Sequence, residues 1–146
     1  MSRGTQAWRV LLPAAAFCAV SCTAAEPPEI LSPSGRYRIV ATIDQAADRA
    51  EQHPHIFLRL LDSSGRELFV VDSRASDYQK WALGWMPDSD TVVLYSSDIG
   101  TRVYAIENGQ LLGIGVTASS QARACQLYEI RYESVSGICR NAGGRP

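Results

Sequence analysis

Histidine and lysine are almost absent from this chain of 146 residues, and long apolar runs are missing too. Two histidines and the single lysine, Lys80, leave thirteen arginines to carry nearly all of the positive charge. The formal net charge is −1, so the composition excludes the basic excess that a nucleic-acid-binding protein needs. The longest apolar run covers residues 10–20, whereas a membrane-spanning helix needs about 20 apolar residues.

Sequence signatures of catalysis are also missing. The chain has no Gly-x-Ser-x-Gly nucleophile turn and no glycine-rich phosphate loop. His53 and His55 stand near three carboxylates, Asp44, Asp48 and Glu51, but the spacing matches no known metal-ligand pattern. A polar surface loop is the favoured interpretation of this segment. We therefore expect no catalytic residue, no metal and no cofactor.

The N-terminus has the pattern of an export signal. Arg3 and Arg9 precede the apolar run of residues 10–20, and small residues follow it. The stretch Ala-Val-Ser-Cys at residues 19–22 resembles the lipobox of bacterial lipoproteins. The resemblance implies cleavage before Cys22 and a lipid anchor on that cysteine. Ala19 departs from the family, which prefers leucine there.

Two alternatives remain for this segment. Ordinary signal peptidase could cleave after Ala25, or the apolar helix could be retained. If Cys22 carries lipid, Thr23 after it is not the aspartate that retains lipoproteins at the inner membrane, and the resemblance then implies the outer membrane. Loss of residues 1–21 removes two arginines and leaves 12 basic and 15 acidic residues, a net charge of −3.

The two remaining cysteines form an even pair. Cys125 and Cys139 would lie in an oxidising compartment if the chain is exported, so a disulfide is predicted between them. Two free buried thiols are the alternative. A zinc site is disfavoured because no histidine lies near them in sequence.

The middle of the chain predicts antiparallel β-structure. Short β-branched runs are separated by turn signals roughly every ten residues. The predicted strands begin near Tyr37, Ile56, Glu67, Thr91, Arg102 and Leu111. The turns contain Gly65, Gly100 and Gly109, and Gly65 supplies the positive φ that a tight hairpin needs.

An internal repeat is visible in this region. Residues 31–41 align with residues 85–95: each stretch has an apolar residue, a proline two positions on, and then a strand. The second stretch and its continuation resemble the repeat of TolB-like β-propellers, through Pro87, Asp88, Tyr95, Ser97, Asp98, Gly100, Tyr104 and Gly109. In that resemblance Trp85 is a buried residue.

The chain is too short to close a propeller, which takes at least four four-stranded blades. We expect a meander of blade-like hairpins, arranged as a twisted sheet or small sandwich. A C-terminal segment should cover one face, with a helix from Thr117 and a strand over residues 128–133. The predicted organisation is a signal peptide at 1–21, a tether at 22–31, one β-rich domain at 32–140 and a flexible tail at 141–146.

One connecting stretch, residues 72–81, combines charge with aromatic rings. We predict it to be a loop between two hairpins, and Arg74, Tyr78, Lys80 and Trp81 are the candidate partner-binding residues. The favoured interpretation is a purely structural loop, with Trp81 at the edge of the core and Arg74 paired with Asp72 or Asp77, and partner binding is the alternative.

Together these patterns favour a non-enzymatic, lipid-anchored protein of the bacterial cell envelope that faces the periplasm and binds another macromolecule. A soluble periplasmic or secreted protein is the alternative localisation. The alternative functions are a periplasmic immunity or inhibitor protein against an envelope-targeted toxin or enzyme, and a small-ligand carrier or enzyme. The expected partners are the membrane, through the anchor, and an unidentified protein or envelope component, with no nucleic acid.

Overall fold

A computed structural model of the protein describes residues 28–43, residues 54–134 and Cys139. The predicted signal peptide, Cys22, His53 and the C-terminal tail lie outside these residues.

The described chain forms two antiparallel four-stranded sheets and one helix. Sheet 1 has the order β1-β2-β3-β4, and sheet 2 has the order β5-β6-β7-β8. The strands are β1 (Ile30–Leu31), β2 (Tyr37–Ile43), β3 (His55–Asp62), β4 (Glu67–Ser76), β5 (Trp81–Trp85), β6 (Val92–Ser96), β7 (Gly100–Glu107) and β8 (Gln110–Ile114), followed by helix α1 (Ala118–Tyr132). The predicted mainly β, antiparallel meander is confirmed, and these residues form neither a closed barrel nor a propeller.

The hairpin turns follow from the residues predicted for them. Asn108 and Gly109 both have positive φ, 51° and 76°, which is the two-residue turn that matches the twist of the flanking strands. In the β3–β4 turn, Asp62 accepts hydrogen bonds from the backbone N–H groups of Ser64 and Arg66, at 2.9 and 3.1 Å. The hydrogen bond from the Ser64 hydroxyl is the largest of the effects that lower the Asp62 pKa, to about 2.

The main core lies between the two sheets. Apolar side chains from alternate positions of each sheet meet there: Ile39, Ile56, Leu58 and Leu60 from sheet 1, and Leu83, Trp85, Val92, Leu94, Tyr104 and Leu111 from sheet 2. This packing makes the fold a small sandwich, one of the two predicted arrangements. Trp85 is 4% exposed, and its indole N–H donates to the backbone oxygen of Ile30 at 2.9 Å. The predicted burial of Trp85 is confirmed.

The internal repeat appears as two equivalent turns. The N–H of Ser32 donates to the oxygen of Tyr37 at 2.9 Å, and at the aligned positions the N–H of Met86 donates to the oxygen of Thr91 at 2.8 Å. The carboxylate of Asp90, in the second turn, accepts from the hydroxyl of Ser34, in the first, at 2.6 Å. The repeated stretches therefore lie next to each other at one end of the sandwich.

The aligned positions do not face the same layer. Ile39 points into the core between the sheets, whereas Val93, which aligns with it, belongs to a second cluster beneath α1. The two sheets thus stack in the same orientation instead of presenting equivalent faces to each other. The apolar face of sheet 2 that corresponds to the buried face of sheet 1 therefore points away from sheet 1. Helix α1 covers it.

The C-terminal strand predicted over residues 128–133 is wrong, because α1 continues through this segment to Tyr132. Thr117 is the N-cap, as the sequence predicts, and it forms a capping box with Ser120. The apparent alternation misled because Tyr128 and Tyr132 also have the i, i+4 spacing of one helix face. Tyr128 is buried against Tyr95, whereas Ile130, between the two tyrosines, is 73% exposed.

The boundary of the predicted tether also needs correction. Ile30 and Leu31, which were assigned to the tether, form β1 and pair with Ile39 and Arg38 of β2. Because Trp85 also bonds to Ile30, the β-structure begins two residues before the predicted domain boundary at residue 32.

Gly84 sets how closely α1 approaches sheet 2. A Cβ atom at this position would lie 2.5 Å from a methyl carbon of Leu127. We therefore expect Gly84→Ala to lower the free energy of unfolding by about 1 kcal/mol, the low end for overpacked sites, because the Leu127 side chain can rotate away. Urea denaturation measures this change.

Two further variants test the cause of that change. The double variant Gly84→Ala, Leu127→Ala should be more stable than the sum of the two single changes predicts, because the clash is then absent. Gly113→Ala is the control, since its Cβ meets nothing within 4 Å. Strict additivity at Gly84 and Leu127 would show that the close approach is not the cause.

Candidate functional site

The candidate site begins at an irregularity in β4. Between the paired residues His55–Ser76 and Phe57–Asp72 the register shifts, so Ser73, Arg74 and Ala75 face a single residue of β3. Arg74 has φ 65°, the left-handed region that L-residues rarely adopt. Bulges of this kind redirect side chains, and the Arg74 side chain is mostly exposed.

Asp72 holds the bulge in place. One carboxylate oxygen accepts from the backbone N–H of Arg74 at 2.8 Å. The other lies 3.3 Å from Nε of Arg74 and 3.2 Å from Nδ1 of His55. The pairing of Arg74 with Asp72 is the one expected for a structural loop. His55, predicted to lie in a surface loop, is instead the first residue of β3.

A serine and an aspartate satisfy backbone groups around this irregularity. The hydroxyl of Ser73, which is buried, donates to the backbone oxygen of Ile56 at 2.6 Å and accepts from the N–H of Ala75 at 3.2 Å. At the end of β4, the N–H of Ser76 donates to Asp98 at 2.8 Å. The Ser73 hydroxyl and the Asp98 carboxylate thus supply hydrogen-bond partners for backbone groups near the bulge.

The Asp98 carboxylate connects β4 to the β6–β7 turn. It accepts hydrogen bonds from the Ser96 hydroxyl and the Ser76 backbone. Burial acts to raise the Asp98 pKa, but these hydrogen bonds outweigh it and hold the pKa below its usual value. Asp98 is therefore ionised at neutral pH, and both of its oxygens accept hydrogen bonds.

The predicted loop of residues 72–81 is shorter than expected. Residues 72–76 belong to β4, and Trp81 is the first residue of β5. The connection itself is residues 77–80, which carries Tyr78 and Lys80. Tyr78 is 72% exposed, whereas Trp81 is half-buried at the border of the main core.

The last turn of α1 completes the site. The guanidinium carbon of Arg131 lies 3.8 Å from the centre of the Trp81 ring, and the Lys80 ammonium lies 5.3 Å from the Tyr132 ring. Both distances are within the range of cation–π attraction. We define Tyr78, Lys80, Trp81, Arg131 and Tyr132 as the cation–aromatic patch.

Among the described residues, no carboxylate neutralises the two cations of this patch. Five other arginines of the described residues form ion pairs with carboxylates: Arg36, Arg38, Arg59, Arg66 and Arg74. Within the same part of the chain, neither Lys80 nor Arg131 has a carboxylate within ion-pair distance. The rings hold the two cations at the surface and leave their N–H groups available to a carboxylate or carbonyl acceptor.

Three of the four predicted binding residues therefore lie in the patch, and Arg74 lies on the neighbouring bulge. Sequence reasoning missed Arg131 and Tyr132, because residues 128–133 were predicted as a strand distant from the loop. The helical spacing of Tyr128 and Tyr132 was the available signal.

The structure places Cys125 and Cys139 at disulfide distance, with sulfurs 2.09 Å apart and Cα atoms 5.5 Å apart. Cys125 is buried on α1, so the bond ties the segment after α1 back to the helix. Across residues 28–43, 54–134 and 139, no three histidine, cysteine or carboxylate side chains are grouped as metal ligands.

Comparisons with known proteins give no further guide to this site. No family model, no curated protein and no solved structure matches the chain. No helix of the described residues is long and apolar enough to cross a membrane.

Proposed function

We propose that this protein is a lipid-anchored envelope protein that binds another macromolecule through the cation–aromatic patch. The observation that carries the proposal is a pair of cations that have aromatic contacts and no ion pair to a described carboxylate, together with a strongly exposed tyrosine two positions before Lys80. Tyrosine, tryptophan and arginine dominate the binding energy of protein interfaces. The patch contains these residue types, and it fits a partner surface that supplies carboxylates or carbonyl oxygens.

The anchor half of the proposal rests on the N-terminal sequence, which lies outside the described residues. Seven residues lie between Cys22 and Ile30, the first residue of β1, so the two Cα atoms are at most about 29 Å apart. The binding domain would therefore stay close to the membrane. The cysteine pair at disulfide distance is compatible with an oxidising compartment.

The anchor is tested by metabolic labelling with palmitate. The full chain, expressed in a bacterium with lipoprotein processing, should incorporate label, and Cys22→Ser should abolish incorporation because the acylated thiol is gone. Cys18→Ser is the matched control and should be labelled like the wild type. Equal labelling of the Cys22→Ser variant would contradict the anchor.

The binding patch is tested by photo-crosslinking in cells. A photoreactive residue at position 78 should give one dominant adduct. The same residue at Ser63 should not, because the β3–β4 turn lies at the far end of β4, a strand of ten residues or about 33 Å. Lys80→Glu or Arg131→Glu should remove the adduct, whereas Arg66→Glu in the distant turn should keep it.

Tyr78→Ala is tested separately, by capture of the partner that the crosslink identifies. It should reduce this capture and change the free energy of unfolding by less than about 0.5 kcal/mol, as substitutions at exposed sites do. Identical adducts from positions 78 and 63, or adducts insensitive to the charge reversals, would contradict the patch as the binding site.

A further inference from the structure

Four sheet edges are present in the described fold, and three of them are protected against pairing with another strand. β1 is only two residues long. β4 carries two register shifts and charged residues, including Asp72 and the left-handed Arg74. Short, bulged and charged edges are the usual devices that prevent edge-to-edge association.

The edge of β5 is protected by α1. The Trp81 N–H donates to the Tyr132 hydroxyl at 3.0 Å, and this hydroxyl donates to the Trp81 oxygen at 2.9 Å. Further along, Nε of Arg123 donates to the oxygen of Trp85 at 2.8 Å. Helix side chains thus occupy edge positions that a further strand would need.

β8 has none of these protections. Its two-residue turn places Gln110 opposite Glu107, and alternation along an antiparallel pair then directs the N–H and C=O of Leu111 and Gly113 away from β7. No hydrogen bond within the described part of the chain reaches these groups. Residues 110–116 contain no charged residue and no proline.

The side chains of this edge are apolar and exposed. Leu112, Ile114 and Val116 alternate along the strand and its extension, and they are 39%, 46% and 48% exposed. They therefore lie on one face, beside α1. The positions between them, Gly113 and Gly115, have open space where a Cβ would stand. A neighbouring strand would meet no charge along this edge and no side-chain bulk at the two glycines.

We infer that β8 pairs in antiparallel fashion with β8 of a second copy of this chain. A two-fold axis midway between the two copies of Gly113 places Leu112 opposite Ile114 of the other copy. The same register places the outward groups of Gly113 opposite each other and those of Leu111 opposite Gly115, so both strands satisfy their edge groups. The two copies share one continuous sheet, with both helices on the same face.

A second copy is favoured over an unrelated strand because this register is self-complementary. Leu112 of each copy meets Ile114 of the other, and an uncharged segment meets itself without like-charge repulsion. The inference does not depend on the cation–aromatic patch or on the lipid anchor.

Engineered disulfides test the register in the full chain, purified in a Cys18→Ser, Cys22→Ser background and treated with a mild oxidant. Hydrogen-bonded partners across an antiparallel pair have Cα atoms about 5.5 Å apart, within the range of a disulfide. Gly113→Cys should therefore form a covalent dimer. Gly115→Cys should not, because each residue 115 faces residue 111 of the other copy.

Charged substitutions across the proposed β8–β8 contact provide a second test. Leu112→Lys with Ile114→Lys places like charges opposite each other and should weaken self-association about tenfold or more, whereas Leu112→Lys with Ile114→Glu restores opposite charges and should retain it. Sedimentation over a concentration range measures both variants. A monomeric wild type, crosslinking at 113 and 115 alike, no crosslinking at 113, or equal loss in both charge variants would each overturn the inference.

Discussion

Replacing Trp85 with alanine should lower the free energy of unfolding by about 3–5 kcal/mol, the range for large aromatic side chains removed from a core. The ring is almost fully buried between the sheets, and its N–H bonds to Ile30 in β1. The change therefore leaves a cavity and also releases the short first strand. Urea denaturation should show a lower midpoint with an unchanged slope.

Comparison with Trp81→Ala distinguishes a structural role of Trp81 in the core from a role in partner binding. Trp81 is half-buried and stacks beneath Arg131, so its removal should cost less stability than the removal of Trp85. In the folded fraction, the Trp81→Ala variant should also bind the crosslinked partner less well, because Arg131 then loses its nearer ring, at 3.8 Å, and keeps only that of Tyr132, at 5.6 Å. A Trp81→Ala variant as unstable as Trp85→Ala, with binding intact, would identify Trp81 as a core residue alone.

Removing the disulfide should lower the free energy of unfolding by about 3 kcal/mol, the value the chain-entropy model gives for a loop of this length. The two cysteines are 14 positions apart, and the bond closes the chain after α1 onto the helix. Cys125→Ala with Cys139→Ala avoids placing a hydroxyl at the buried position 125. Reduction of the wild type should lower the urea midpoint by about as much as the double substitution does.

Peptide mapping without reductant checks the premise of that experiment. It should recover one peptide pair joined through Cys125 and Cys139, in protein isolated from an oxidising compartment. Free thiols at both positions would refute the disulfide. A reductant that leaves the denaturation curve of the wild type unchanged would show that the bond contributes no stability.

Much of the sheet structure was predictable because it depends on local chemistry. β2 is the strand predicted from residues 37–43, and the hairpin glycines at 65, 100 and 109 all have positive φ. The aligned proline turns at residues 32–37 and 86–91 close with the same backbone hydrogen bond. The propeller-repeat and lipobox resemblances, in contrast, stay predictions.

The cation–aromatic patch was only half predictable. Tyr78, Lys80 and Trp81 follow one another closely in sequence, and their composition marks them. Arg131 lies 50 positions after Trp81, and no local pattern connects the two residues. The bulge at Arg74 was also missed, because a strand that contains a serine and an arginine resembles a loop by composition.

The sequence alone determined six of the eight described strands, the hairpin turns, the helix N-cap at Thr117 and the repeated proline turns. Each depends on backbone preferences and on residues close in the chain. Tertiary structure alone decided which face of each strand is buried, because aligned residues such as Ile39 and Val93 face different layers once the sheets stack in one orientation. It also decided that residues 128–132 continue as helix: the apolar face of sheet 2 needed a cover, and burial of Tyr128 against Tyr95 outweighed the local alternation.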